Sequence, residues 1–232
     1  MSTAGLVSVI MPAYNRRDYI REALDSILAQ TAGRHEIIVI DDGSTDGTAD
    51  IVRAYGDPVA CHSQPNAGIG AALNHGLLRA TGEWLAFLDS DDLWLPGKTA
   101  AQLAHAESHP QTDLLFGHYE EFVSPEIPAG QLSLGERATG ARPALLYGAL
   151  LVRRATFARV GPFDEKLNLG HFIDWQARSR ALGLTETVLP ETVLRRRIHR
   201  SNTTLTRKTD YRDYLKVMKA HLDRRRAATG DR

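Results

Sequence analysis

Trp84-Leu85-Ala86-Phe87-Leu88-Asp89-Ser90-Asp91-Asp92 is an apolar run that delivers three carboxylates to its own C-terminal end. Like charges this close repel and raise one another's pKa unless a cation neutralises them. The stretch therefore reads as a divalent-cation site at the mouth of a buried strand. Hard oxygen ligands on a short turn suit Mg²⁺ or Mn²⁺ rather than zinc. In an open α/β sheet, ligands bind beyond the carboxyl ends of the strands, and this run has that polarity. The competing reading is a helix N-cap, because Asp and Ser are favoured caps and a helix can begin near Pro96. A cap needs one such residue, not three.

Toward the N-terminus the same grammar repeats. Residues 7–11 (Val-Ser-Val-Ile-Met) form a short apolar run stopped by Pro12, which predicts a buried strand and then a loop. Ile20, Ala23, Leu24, Ile27 and Leu28 fall at helical spacing. Residues 36–40 predict a second strand, and Thr45 or Asp46 in the turn after it can cap a helix running to about Tyr55. Residues 59–62 predict a third strand. The loop 65–70 then leads into a helix from about Ala71 to Ala80. Strands alternating with helices of this length predict an α/β chain with a mostly parallel sheet flanked by helices.

Beyond Asp92 the pattern predicts a helix over 98–109 and a strand over 114–119. Residues 124–143 hold three Pro and three Gly without periodicity, and predict a mobile loop. A short helix is expected over 154–160, another over 173–182, and one or two strands over 187–198 interrupted at Pro190. In the tail, Tyr211, Leu215, Met218 and Leu222 recur at three- and four-residue spacing among Arg and Lys. That spacing predicts a helix that docks on the domain and leaves a basic face in solvent, with self-association and an anionic surface as alternatives. The chain is read as one domain over 1–232, with a nucleotide-binding half over 1–95, an acceptor half over 96–204 that includes the loop 123–143, and the basic helix over 205–232.

Composition narrows the class. The 232 residues carry 28 basic and 28 acidic side chains, so net charge offers no general attraction to nucleic acid or a membrane surface. One cysteine, Cys61, excludes an internal disulfide and a cysteine-based zinc cluster, so a reducing, cytoplasmic compartment is expected. No apolar run approaches the ~18 residues of a membrane span, and residues 1–5 lack the features of a signal peptide.

Three polar clusters follow three successive strands: Pro12-Ala13-Tyr14-Asn15, Asp41-Asp42-Gly43-Ser44 and Asp89-Ser90-Asp91-Asp92. In a parallel sheet they share one edge and meet in space. Tyr14 can lie against a flat base, Asp42 can accept from a base N–H or a sugar hydroxyl, and a cation at Asp91 can hold a diphosphate. Such a complement fits a sugar nucleotide.

These motifs, with Asn66-Ala67-Gly68, Ala72-Leu73-Asn74, Gly161-Pro162-Phe163-Asp164-Glu165 and His199-Arg200-Ser201-Asn202, resemble the inverting glycosyltransferases of family 2, which have the GT-A fold. The resemblance covers about residues 6–204. It implies metal-dependent transfer of a sugar from a nucleotide-diphosphate donor, UDP- or dTDP-linked, to a hydroxyl of a glycan, lipid-linked or peptide acceptor, with Mn²⁺ or Mg²⁺ as cofactor. On it, Pro12, Tyr14 and Asp42 contact the nucleoside, Asp89 the ribose, Asp91 the metal, and His199 the metal and diphosphate. Asn15, Gly68, Asn74 and Ser90 are further candidates for donor contacts, and a homodimer is a possible assembly.

Two positions depart from the family pattern. Leu73 replaces an Arg of the nucleotide-facing loop. The family's Glu-Asp pair, whose Asp is the base toward the acceptor, falls on His171-Phe172, and Phe172 takes no proton. Asp174 is expected to substitute if the helix begins after Phe172, with His171 as the second choice. Alternatives to the transferase are a non-catalytic sugar-nucleotide binder, and a nucleotidyltransferase whose Gly-rich triphosphate loop this chain lacks.

Overall fold

The computed structural model describes residues 5–128, 131, 140–167, 169–202 and 212–229. Four strands, β1 (Leu6–Ala13), β2 (Arg34–Asp41), β3 (Val59–Ser63) and β4 (Trp84–Phe87), run parallel in the order β3-β2-β1-β4. The central two are almost wholly buried from their middles to their C-terminal ends, as the near-continuous apolar sequence of a strand covered on both faces requires. The cover comes from α1 (Ile20–Leu28), α2 (Thr48–Arg53) and α3 (Ile69–Leu77). In α1 the residues buried are Ile20, Ala23, Leu24 and Ile27, one face of a helix. Asp46 accepts the amide of Thr48 at 2.9 Å and so supports the start of α2. Gly68, at φ +91°, turns the chain into α3 two residues earlier than the sequence predicts.

Beyond β4 the sheet is mixed. β8 (Leu151–Arg153) pairs antiparallel with both β4 and β6 (Leu114–Val123), and β9 (Glu186–Ile198) runs parallel to β6. β5 (Leu93–Trp94) pairs with β9, and β7 (Arg142–Pro143) with β6. Pro190 does not break β9 as expected. It falls where the β6–β9 register shifts between Phe116 and His118, an irregularity where a proline's missing N–H costs no ladder bond. α4 (Lys98–Ser108), α5 (Arg154–Val160), α6 (His171–Ala181) and α7 (Arg212–Thr229) complete the fold. Half of the loop expected over 124–143 lies outside the described residues. Within it, Ser124 and Ile127 are buried, and residues 142–143 form β7.

The C-terminal helix docks, but on a different face from the one expected. Leu215, Met218 and Leu222 are exposed, whereas Asp213 and Val217 are buried. Asp213 accepts the Leu169 amide at 3.1 Å, and Tyr214 and Val217 close over Gly170. That polar anchor, invisible to a reading of apolar spacing, sets the rotation of the helix. Tyr211 lies outside the described residues.

Candidate active site

The register of the sheet assembles the site. Ala13 stands opposite Asp41 and Ile10 opposite Phe87, so β1, β2 and β4 end at one edge. Side chains and backbone then tie their loops together. Asp42 donates its amide to the Ala13 carbonyl at 2.8 Å, and Asn15 accepts from the Thr45 amide and donates its own amide to Ser44 Oγ, each at 2.9 Å. Asn15 has φ +52°, a left-handed conformation that asparagine tolerates better than most residues. Its side chain is thus spent on loop geometry and does not line the cleft.

The cleft itself has a volume of about 450 Å³. Pro12, Tyr14, Asp42 and Gly68, the candidates for donor contacts, form one wall together with Ile69 and Ala72. Tyr14 is 42% exposed, a free aromatic face at the rim. Asp42 is buried and accepts from Gln64 Nε2 (2.8 Å), the Ala67 amide (2.8 Å) and the Gly68 amide (2.9 Å). Three of the roughly four acceptor directions of a carboxylate are used in shaping the 64–68 loop, which leaves about one for a ligand. Asn74, expected at the donor, is instead a strut. Its amide donates to Phe163 O (3.0 Å) and Glu165 Oε1 (2.8 Å) and accepts from the Phe163 amide (2.9 Å), so it joins α3 to the loop before α6 and stays out of the cleft. Leu73, at the position of the family's Arg, is buried in the core.

Asp89, Ser90, Asp91 and Asp92 form the floor. Asp89, Asp91 and Asp92 each offer an oxygen, and the three lie within 4.8 Å of one another. Burial and the charge of Asp91 push Asp89 up to about 6, against a hydrogen bond donated by Tyr147. Burial, then the charges of Asp91 and Asp89, hold Asp92 well above the usual carboxylate range, although it accepts the Arg197 amide at 2.8 Å. Asp91 goes the other way. Burial would raise it, but hydrogen bonds from His199 Nε2 (2.9 Å) and Arg16 Nε (3.1 Å), both to Oδ2, and the Arg16 charge outweigh burial. His199 is fully buried behind Asp91, with Ser201 Oγ 2.8 Å from its Nδ1.

The opposite wall holds Leu145, Leu146, Tyr147, His171, Phe172 and Ile173. α6 begins at His171, so Phe172 lies inside the helix and the condition under which Asp174 could reach its place is not met. Asp174 accepts from Arg178 Nε at 2.9 Å in an i,i+4 pair and does not line the cleft. The expectation for Asp174 thus gives way to His171 on position. His171 is only 7% exposed, its two ring nitrogens have no hydrogen-bond partner among the described residues, and burial lowers it to about 4. Phe172 packs parallel to Trp175 at 5.9 Å between ring centroids, which explains an apolar residue there.

Three clustered carboxylate oxygens, two of them with affinities for protons raised by burial and then by their neighbours' charge, fit a hard dication such as Mn²⁺ or Mg²⁺. Sequence reasoning missed Arg16 and Tyr147 as parts of this floor, whereas Asp92 belongs to the carboxylate cluster it expected. A basic residue directly after Tyr14-Asn15 was a legible signal. Tyr147 sits in an apolar stretch that reads as core.

Comparison with known proteins agrees with this geometry. The profile of glycosyl transferase family 2 matches residues 8–143, more than half of the chain. An uncharacterised glycosyltransferase of Rickettsia typhi is 33% identical over 221 residues, covering 90% of this chain and 69% of that protein. Staphylococcus aureus TarS (residues 1–349), solved with UDP-GlcNAc, superposes with a TM-score of 0.71 at 22% identity over 91% of this chain and 65% of that one. Mannosyltransferase PcManGT of Pyrobaculum calidifontis, solved with GDP-Man and Mn²⁺, superposes with a TM-score of 0.65 at 21% identity over 84% and 58%. The chain therefore belongs to glycosyl transferase family 2 and is a glycosyltransferase with the GT-A fold.

Proposed function

We propose that the protein transfers a sugar, with inversion, from a UDP- or dTDP-linked donor to an acceptor hydroxyl, with Mn²⁺ or Mg²⁺ at the carboxylate floor. The observation that carries this reading is the convergence of Tyr14, Asp42 and the Asp89, Asp91, Asp92 cluster on one cleft. The neighbours solved with UDP-GlcNAc and with GDP-Man and Mn²⁺ support the donor class and the cation. Tyr14 stacks on the base, the remaining acceptor direction of Asp42 takes a base N–H, and Pro12, Gly68 and Ser90 line the donor. Asp89, carried by its bond from Tyr147, faces the ribose and the cation. Asp91 would hold the cation, and His199, bonded to Asp91 Oδ2 through Nε2, would orient that carboxylate from behind. When bound, the metal neutralises charge that builds on the departing diphosphate.

His171 is the acceptor-activating base in this proposal. It is neutral at pH 7 because burial disfavours the imidazolium, and its nitrogens have no partner among the described residues. As the acceptor oxygen attacks the anomeric carbon and the bond to the diphosphate breaks, His171 takes the hydroxyl proton and later returns it to solvent. The negative diphosphate stabilises the imidazolium in that step, which offsets the low basicity of the empty site. The apolar flank at Leu145, Leu146 and Ile173 receives the acceptor. The single cysteine, Cys61, fits a reducing compartment, so the proposal keeps a cytoplasmic site of action. Among the described residues no helix is long and apolar enough to cross a membrane.

The test is prolonged incubation with a panel of nucleotide sugars and Mn²⁺, following release of free nucleoside diphosphate. Slow hydrolysis of a UDP- or dTDP-sugar that chelation stops is the expected result. A protein that binds such a donor but never cleaves it, with or without acceptors, is a binder and not this transferase.

A further inference from the structure

We propose that Arg16 takes the place of the cation while the site holds no metal and passes to the donor diphosphate once metal occupies Asp91, so that this one side chain couples metal binding to nucleotide binding. The inference rests on the reading that a metal at Asp91 receives the diphosphate.

Asp91 Oδ2 accepts two hydrogen bonds, from Arg16 Nε at 3.1 Å and from His199 Nε2 at 2.9 Å. A carboxylate oxygen has two lone pairs, so a dication can take Oδ2 only by displacing one of these donors. His199 is poorly placed to leave. It is fully buried, its Nδ1 is 2.8 Å from Ser201 Oγ, its amide donates to Asn202 Oδ1 at 2.6 Å, and its ring lies 4.4 Å from that of Tyr19. Arg16 is the looser of the two. Its side chain keeps 16% of its exposure and lines the cleft, and its remaining bonds go to the backbone oxygens of Tyr14 (3.2 Å), Asn15 (3.0 Å) and Ser201 (3.5 Å).

Charge then selects the destination. A dication at Asp91 repels the guanidinium it displaces. A diphosphate in the same cleft offers the paired oxygens that a guanidinium binds bidentately. Metal thus frees Arg16 for the nucleotide, and the nucleotide stabilises the state in which Asp91 is free for metal. By linkage the two ligands tighten each other by the same factor.

The test measures Mn²⁺ affinity, by electron paramagnetic resonance of the free ion, with and without UDP, in the wild type, Arg16→Met and Arg16→Lys. Without UDP, Arg16→Met should bind Mn²⁺ more tightly than the wild type, by roughly 5-fold or more, because the competing cation is gone. The factor by which UDP tightens Mn²⁺ should shrink by a similar amount, within the ~5–150-fold range of such couplings, and Arg16→Lys should fall between. Unchanged or weaker Mn²⁺ binding in Arg16→Met overturns the proposal. Should Arg16→Met fail to fold, the ¹⁵N resonance of Arg16 Nε, assigned by its absence in Arg16→Lys, decides the matter. It should shift when Mg²⁺ and UDP are added together, and a resonance that stays put overturns the role. A wild type whose UDP affinity ignores chelation overturns the underlying reading, whereas metal-dependent UDP binding with unaltered coupling in the variants overturns the role of Arg16 alone.

Discussion

His199 Nε2 lies 2.9 Å from Asp91 Oδ2 although 108 positions separate the two residues. The pair joins the turn after β4 to the end of β9, and so makes the second half of the chain part of the carboxylate floor. A partner of this kind fixes the orientation of a metal-binding carboxylate. His199→Gln should therefore weaken Mn²⁺ binding by about 10–100-fold, read by titration of the ion in the presence of UDP. Affinity equal to wild type, in a variant that melts normally, would show that the pair has no part in cation binding.

His171 and Asp174 separate by their surroundings. His171→Asn should lower the rate of transfer by about 10²–10⁴-fold with donor affinity unchanged, as loss of a general base does. Asp174→Asn should instead cost about 1–3 kcal/mol of stability through its charged hydrogen bond to Arg178, with transfer within a few-fold of wild type. Kinetics and denaturant melts on the two variants check both halves, and the reverse pattern would return the base to Asp174.

The same histidine predicts an acid-side loss of stability. Burial lowers it from 6.5 to about 4, so between those values the unfolded chain binds a proton that the native state refuses. Stability therefore rises with pH across that window and falls on acidification. From pH 7 to pH 5 the wild type should lose about 2 kcal/mol more than His171→Phe, taking ~1.36 kcal/mol per pKa unit. Parallel denaturant melts at the two pH values measure it, and equal losses would contradict the buried neutral imidazole.

Lys98 gives the alkaline counterpart. It is fully buried, donates to Gln102 Oε1 at 2.7 Å and sits 4.3 Å over the Trp94 ring, and burial lowers it from 10.5 to about 7. Between those values the unfolded state again holds the extra proton, so stability should climb by about 2 kcal/mol from pH 7 to pH 9. Lys98→Met should flatten that slope, and an unchanged slope would mean that the ammonium stays charged in the core.

Much of this was legible in the sequence because it depends on local order. The apolar runs ending at Met11, Ile40 and Leu88 predict parallel strands, and the polar residues after each fall on one edge without further information. What was not legible depends on partners far away in the chain. Asn74 looks like a ligand residue until Phe163 and Glu165, about 90 positions on, take both ends of its amide. Tyr147 looks like core until its hydroxyl meets Asp89. Two residues in the start of α6, at His171 rather than Ile173, decide between the candidate bases. Apolar spacing predicted the helix α7 but not its rotation, which the buried Asp213 fixes.

The central claim is that the carboxylate floor holds a cation that holds a nucleotide diphosphate. Anomalous diffraction from crystals grown with Mn²⁺ and UDP tests it most directly. The account predicts one strong manganese peak at about 2.1–2.3 Å from a carboxylate oxygen of Asp91, with the diphosphate on the cleft side of the ion and the base between Tyr14 and Asp42. A nucleotide seated in this cleft with no manganese beside Asp91, or one seated elsewhere on the protein, would contradict it.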